Sequence, residues 1–110
     1  MTDSPQPHFA NIESESYREH FQPGDHVLVD VRELHEWMNG HLPGAIHIPL
    51  SDLPDQLDDI PNDRPVVLVC ATDVRSMVGA QVLLESGYME VYNLSDGTVG
   101  WINKGLPVER

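Results

Sequence analysis

The sequence predicts an α/β domain, a small sheet of parallel strands flanked by helices on both faces. Three runs carry the prediction: Val27-Leu28-Val29-Asp30-Val31, Pro65-Val66-Val67-Leu68-Val69 and Glu90-Val91-Tyr92-Asn93-Leu94. Each is short, valine-rich and almost continuously apolar, the pattern of a strand covered on both sides. Between them lie segments with apolar residues at helical spacing, so strand and helix alternate, as parallel pairing with crossovers requires.

In chain order, residues 1–8 carry two prolines and no apolar pattern, and a loose arm is expected there, with the domain over residues 9–110. Phe9-Ala10-Asn11-Ile12 reads as a first strand. Ser14 or Ser16 is placed to cap a brief helix ending before Pro23-Gly24. The second strand runs from Val27 to Val31. Arg32 to Asn39 reads as a helix, with Leu34, Trp37 and Met38 at helical spacing and Gly40 as its stop. His41-Leu42-Pro43-Gly44 is a turn and Ala45-Ile46-His47-Ile48 a short strand. Ser51 is a capping candidate for a helix with Leu50, Leu53 and Leu57 on one face and Pro54 in its first turn. Asp55, Asp58 and Asp59 read as a solvated edge, since nothing around them resembles a calcium loop.

The fourth strand, Val66 to Val69, precedes a helix over Ser76 to Glu85 with Met77, Ala80 and Leu84 turned one way. Gly79 inside that helix points to close backbone packing, and Gly87 falls just past its end. After the fifth strand, Ser95 to Gly100 reads as a turn and Trp101 to Lys104 as a last helical turn. Trp37 and Trp101 are expected in the core.

A chain of 110 residues is one domain, able to bury roughly 65% of the surface it exposes when unfolded. The net charge of −12 makes nucleic acid and anionic membranes poor partners and disfavours small anions unless a local site overrides it. The acidic excess serves solubility, and it can steer a basic protein partner. The N-terminus has neither the positive charge nor the apolar run of a signal peptide. A single cysteine forms no internal disulfide, so a reducing cytoplasmic location is expected. His35, His41 and His47 lack the spacing that puts two ligands on one helix face, and no metal site is expected.

That cysteine, Cys70, closes the fourth strand. A thiol there meets the unpaired N–H groups and positive end of the following helix, both of which favour the nucleophilic thiolate. In open parallel sheets, ligands also bind beyond the carboxyl ends of the strands. The competing reading is a small core hydrophobe. A core cysteine needs neither a helix start nor Arg75 five residues on.

Two segments resemble the single-domain rhodanese family. One is Asp30-Val31-Arg32-Glu33 with Trp37 and Gly40-His41-Leu42-Pro43-Gly44-Ala45-Ile46-His47-Ile48-Pro49-Leu50. The other runs from Val66 through the cysteine loop to Ser86-Gly87-Tyr88, Val91-Tyr92-Asn93-Leu94, Gly97, Trp101 and Gly105-Leu106-Pro107-Val108. The resemblance implies a rhodanese-like fold with a five-stranded parallel sheet, and sulfur transfer through a cysteine persulfide. Cys70 would be the catalytic nucleophile. Ala71, Thr72, Asp73, Val74, Arg75 and Ser76 would form the substrate-binding loop, with backbone N–H groups around the sulfur. The implied partners are a thiosulfate or persulfide donor and a thiophilic acceptor, a sulfur-carrier protein among the candidates. No cofactor is implied. Protein tyrosine phosphatases place Arg six residues after the cysteine; the interval here is five, as in the sulfurtransferase form.

The loop departs from the common Cys-Arg-Ser-Gly-Asn-Arg-Ser. Ala71 replaces a basic residue, Asp73 stands for glycine and Val74 for asparagine. An Asp73 carboxylate about 6 Å from a bound anion repels it by roughly 3 kcal/mol at an effective dielectric near 20, which Arg75 at similar range cancels. Weak use of free thiosulfate is therefore expected. Asp73 can instead cap the helix, and Arg75 can orient thiosulfate or bond loop carbonyls. Asp30 and Arg32 suggest a structural ion pair or cap, and His41 a structural hydrogen bond. The alternative function is a non-catalytic rhodanese-like module that binds a partner or senses oxidants at Cys70.

Overall fold

The computed structural model describes residues 8–110, so the expected arm lies, except for His8, outside the described residues. The elements are β1 (Ala10–Ile12), α1 (Ser14–His20), β2 (Val27–Asp30), α2 (Leu34–Met38), β3 (Ile46–His47), two 3₁₀ segments (Leu50–Asp55 and Leu57–Asp59), β4 (Val66–Val69), α3 (Val74–Glu85), β5 (Val91–Leu94) and α4 (Gly97–Asn103). The strands form one sheet, in the order β1-β5-β4-β2-β3, with every neighbouring pair parallel.

The valine-rich runs feed two cores because successive strand side chains point to opposite faces. Val66, Leu68 and Cys70 pack on one face with Val29, Leu53, Ala80 and Leu83, beneath α3 and the 3₁₀ segments. Val67 and Val69 pack on the other with Tyr17 and Trp101, beneath α1 and α4. Close approach of α3 depends on Gly79, where a Cβ would lie 2.9 Å from a Leu68 methyl. From β2 the chain moves outward to β3, and from β4 it moves the other way to β5. The carboxyl ends of β2 and β4 therefore flank the point where the winding reverses, the usual ligand crevice of such sheets.

Several boundaries differ from the sequence expectation. Ser14 does not cap α1; its hydroxyl donates to Asp96 Oδ2 at 2.6 Å, and Glu13 holds the capping position. The helix expected over Arg32–Asn39 is shorter, and it begins with a reciprocal Glu33–Glu36 capping box. The helix expected after Ser51 is 3₁₀ instead. Asp52 N–H bonds the Pro49 carbonyl at 2.8 Å and Gln56 N–H the Leu53 carbonyl at 3.1 Å, both three residues back. Pro54 has no N–H to give, and its ring crowds an α turn. The last helix starts at Gly97 rather than Trp101. Trp101 is fully buried and donates to the Pro107 carbonyl at 2.7 Å. Trp37 is only half-buried, its ring stacked on His41 with centroids 3.4 Å apart.

The end of β2 is fixed by a buried ion pair. Arg32 Nη2 donates to Asp30 Oδ2 at 2.8 Å and to the Gly40 carbonyl at 2.7 Å, and its Nε to the same carboxylate at 3.0 Å. His41 Nδ1–H donates to the Trp37 carbonyl at 3.0 Å. His47 Nε2–H donates to the Arg32 carbonyl at 2.7 Å.

Candidate active site

Cys70 follows the central strand β4 and is 1% exposed. Alternation along β4 turns its side chain toward α3. There the Ser76 N–H donates to Sγ at 3.3 Å and the Ser76 hydroxyl lies 3.2 Å from it. Ser76 is the third residue of α3, so its amide is one of the first-turn donors with no carbonyl inside the helix. Among the described residues it is the one loop amide bonded to the sulfur. Burial is what a core cysteine also shows; two polar contacts from one helix start are not.

The rest of the loop is placed as follows. Thr72 and Val74 are exposed; Ala71, Asp73 and Arg75 are half-buried; Ser76 is fully buried. Asp73 holds the capping position of α3 with φ −141°, its side chain forming no cap bond while its carbonyl accepts from Met77 N–H at 3.1 Å. None of the described non-glycine residues has positive φ, so Asp73 does not reproduce a glycine conformation.

The Arg75 guanidinium bonds a carboxylate on α2 and no loop carbonyl. Its Nη1 and Nη2 meet Glu36 Oε1 and Oε2 at 2.7 and 2.9 Å, a bidentate pair tying α3 to α2. Hydrogen bonding from Arg75 holds the Glu36 carboxyl at about 2, against an ordinary 4.5. The folded state therefore binds fewer protons than the unfolded chain between those values. The pair's contribution is complete above about pH 4.5 and disappears as pH falls through about 2. The Arg75 side chain is 35% exposed, so solvent screening limits the contribution to about 1 kcal/mol. Urea unfolding should find Glu36→Gln less stable than wild type near neutrality and equal to it near pH 2. A pH-independent difference would contradict the assignment.

Three features supporting the loop were not read from the sequence. The first turn of α4 holds it from behind: Thr98 N–H and Oγ1–H donate to the Cys70 carbonyl at 2.9 and 3.1 Å, and Val99 N–H to the Ala71 carbonyl at 3.0 Å. Gly97, at φ +64°, lets the two backbones meet, since a Cβ would lie 2.3 Å from the carbonyl oxygens of Ala71 and Thr72. Asn93 is a buried amide on β5 whose Oδ1 accepts from the Ser76 hydroxyl. A polar residue in an otherwise apolar strand run was its available signal. Glu36, 39 residues from Arg75, had none.

Among the described residues no cluster of His, Cys, Asp and Glu is arranged to hold a metal ion, and no helix is long and apolar enough to cross a membrane. The family profile for the rhodanese-like domain matches residues 13–104. A sulfurtransferase of Allochromatium vinosum is 36% identical over 98 residues, covering 88% of this chain and 92% of its own. Thiosulfate sulfurtransferase GlpE of Glaesserella parasuis is 34% identical, covering 92% and 94%. The crystal structure of a rhodanese-related protein from Thermoplasma volcanium superposes with a TM-score of 0.83 at 26% identity, over 92% of this chain and 98% of its own. Some matching chains are much longer, and this chain spans 16% of one of them.

Proposed function

The chain belongs to the rhodanese-like domain family, and on that premise we propose that it transfers sulfane sulfur through a persulfide on Cys70. Sulfur transfer in general follows from the family and from relatives bearing that name along nearly their whole length. The persulfide, its donor and its acceptor are our reading. The observation that carries it is the chain's one cysteine at the carboxyl end of the central strand, its sulfur bonded by a first-turn amide of α3.

The Cys70 thiolate attacks the outer sulfur of the donor. A Cys70 S–S bond forms, the donor's S–S bond breaks, and sulfite or a thiolate leaves with the electron pair. A thiophilic acceptor then attacks the outer sulfur of the persulfide, takes it, and returns Cys70 as thiolate. The Ser76 amide stabilises the sulfur anion at both stages. The sulfur is enclosed, so transfer requires a movement that exposes it to the donor. A reducing cytoplasmic setting keeps the lone thiol available.

A hydropersulfide suits this site better than free thiosulfate. Arg75, the loop's one cation, has both terminal nitrogens engaged by Glu36, while Asp73 adds a carboxylate to the same loop. Transfer to cyanide should proceed with kcat/KM at least roughly tenfold higher from glutathione persulfide than from thiosulfate. Equal values, or a preference for thiosulfate, would overturn the donor assignment. Burial of Cys70 favours the second reading, a non-catalytic binding or redox-sensing module. No sulfur transfer from either donor would select it.

A further inference from the structure

The Cys70 sulfur ends a buried line of hydrogen bonds that reaches the sheet edge. Ser76 Oγ lies 3.2 Å from Sγ, bonds Asn93 Oδ1 and lies 3.1 Å from the Asp73 carbonyl, which already accepts from Met77 N–H; Asn93 Nδ2 donates to Asn11 Oδ1 at 2.9 Å. Ser76 and Asn93 are fully buried, whereas Asn11 on β1 is exposed. We infer that Asn93 is a positioning residue for Cys70: the orientation of its amide decides whether the Ser76 hydroxyl offers the sulfur a proton or a lone pair. The inference rests on Cys70 being the nucleophile.

A serine hydroxyl has one proton. With Cys70 as thiol, S–H donates to Ser76 Oγ, the Ser76 proton goes to Asn93 Oδ1, and Asn93 Nδ2 donates to Asn11. A thiolate only accepts, so the Ser76 proton must turn to Sγ. Asn93 Oδ1 would then be a buried acceptor without a donor, which is costly. Turning both amides over removes the conflict. Asn93 Nδ2 donates to Ser76 Oγ, Asn93 Oδ1 accepts from Asn11 Nδ2, and each bond from Cys70 to Asn11 persists with reversed polarity, while the Asp73 carbonyl keeps its Met77 N–H donor. The exposed end turns freely in water. Of side chains this size, an amide supplies both a donor and an acceptor; a carboxylate can only accept.

Replacing either amide by a carboxylate therefore locks the line in its thiol-state direction. The test is the pH midpoint of thiolate ultraviolet absorbance, each variant referenced to its own Cys70→Ser counterpart. Asn93→Asp should raise the midpoint by about one pH unit, the worth of one hydrogen bond. Asn11→Asp, exposed and safe for folding, should raise it by about half as much. In a Ser76→Ala background both shifts should largely vanish, because the hydroxyl that relays them is gone. The charged and titratable groups on the elements around Cys70 are Asp73, Arg75 with Glu36, Asp30 with Arg32, His47 and Asp96, and all stay constant across the set. Shifts of equal size with and without the Ser76 hydroxyl would mark a direct charge effect and overturn the inference, as would no shift in Asn11→Asp. The readout needs no sulfur donor, so its failure is separable from a failure of sulfur transfer.

Discussion

Cys70→Ser should reduce sulfur transfer to the uncatalysed donor–acceptor background, a loss of at least roughly 10³-fold, while leaving the fold in place. Serine nearly matches cysteine in size, and Ser76 N–H and Oγ already flank the position, so an introduced hydroxyl finds partners. The penalty for a polar atom in this core should stay near 1 kcal/mol. What disappears is a nucleophile that accepts sulfur and releases it again. No second cysteine exists to replace it. The measurement is kcat/KM with glutathione persulfide and cyanide, beside a thermal melt. More than a tenth of wild-type activity in a folded Cys70→Ser protein would remove Cys70 from the mechanism.

Gly97→Ala should be the most damaging single-methyl change to the loop. A Cβ at Gly97 would sit 2.3 Å from the carbonyl oxygens of both Ala71 and Thr72, and neither is a flexible side-chain tip. The chain is also at φ +64°, where any L side chain is strained. The loop must retreat or the first turn of α4 must lift. Either movement breaks the Thr98 and Val99 bonds to the Cys70 and Ala71 carbonyls. A loss of about 3 kcal/mol or more is expected, with turnover down roughly 10²-fold as the loop shifts. Gly105→Ala is the control, with φ +74° but nothing within 4 Å of the new Cβ. It should cost about 1 kcal/mol and leave turnover unchanged. Urea unfolding and kcat/KM of the two variants separate backbone strain from the clash. Equal effects would show that Gly97 does not hold the loop.

The strands were legible because each is written locally. Val66 to Val69 is apolar at every position, since β4 is covered on both faces. The same alternation turns Cys70 inward with Val66 and Leu68, so its burial could have been read from the strand itself. Contacts between distant segments left no local trace. Gly97 and Gly100 read as a turn, yet Gly97 opens a helix whose first N–H groups bond carbonyls of the cysteine loop. Ser14 has the local pattern of a cap, but its partner, Asp96, lies 82 residues away. Nothing around Arg75 in the sequence marks its partner, which stands on a helix 39 residues earlier in the chain. Trp37 has the helical spacing of a core residue but is half-buried, its ring stacked on His41.

The most direct test of sulfur transfer is the mass of the intact protein after incubation with glutathione persulfide and removal of excess donor. The expected product is the chain plus one sulfur atom, located on the peptide containing Cys70, removed by reductant and absent from Cys70→Ser. An unchanged mass after exposure to glutathione persulfide, thiosulfate and polysulfide would contradict persulfide chemistry at this cysteine.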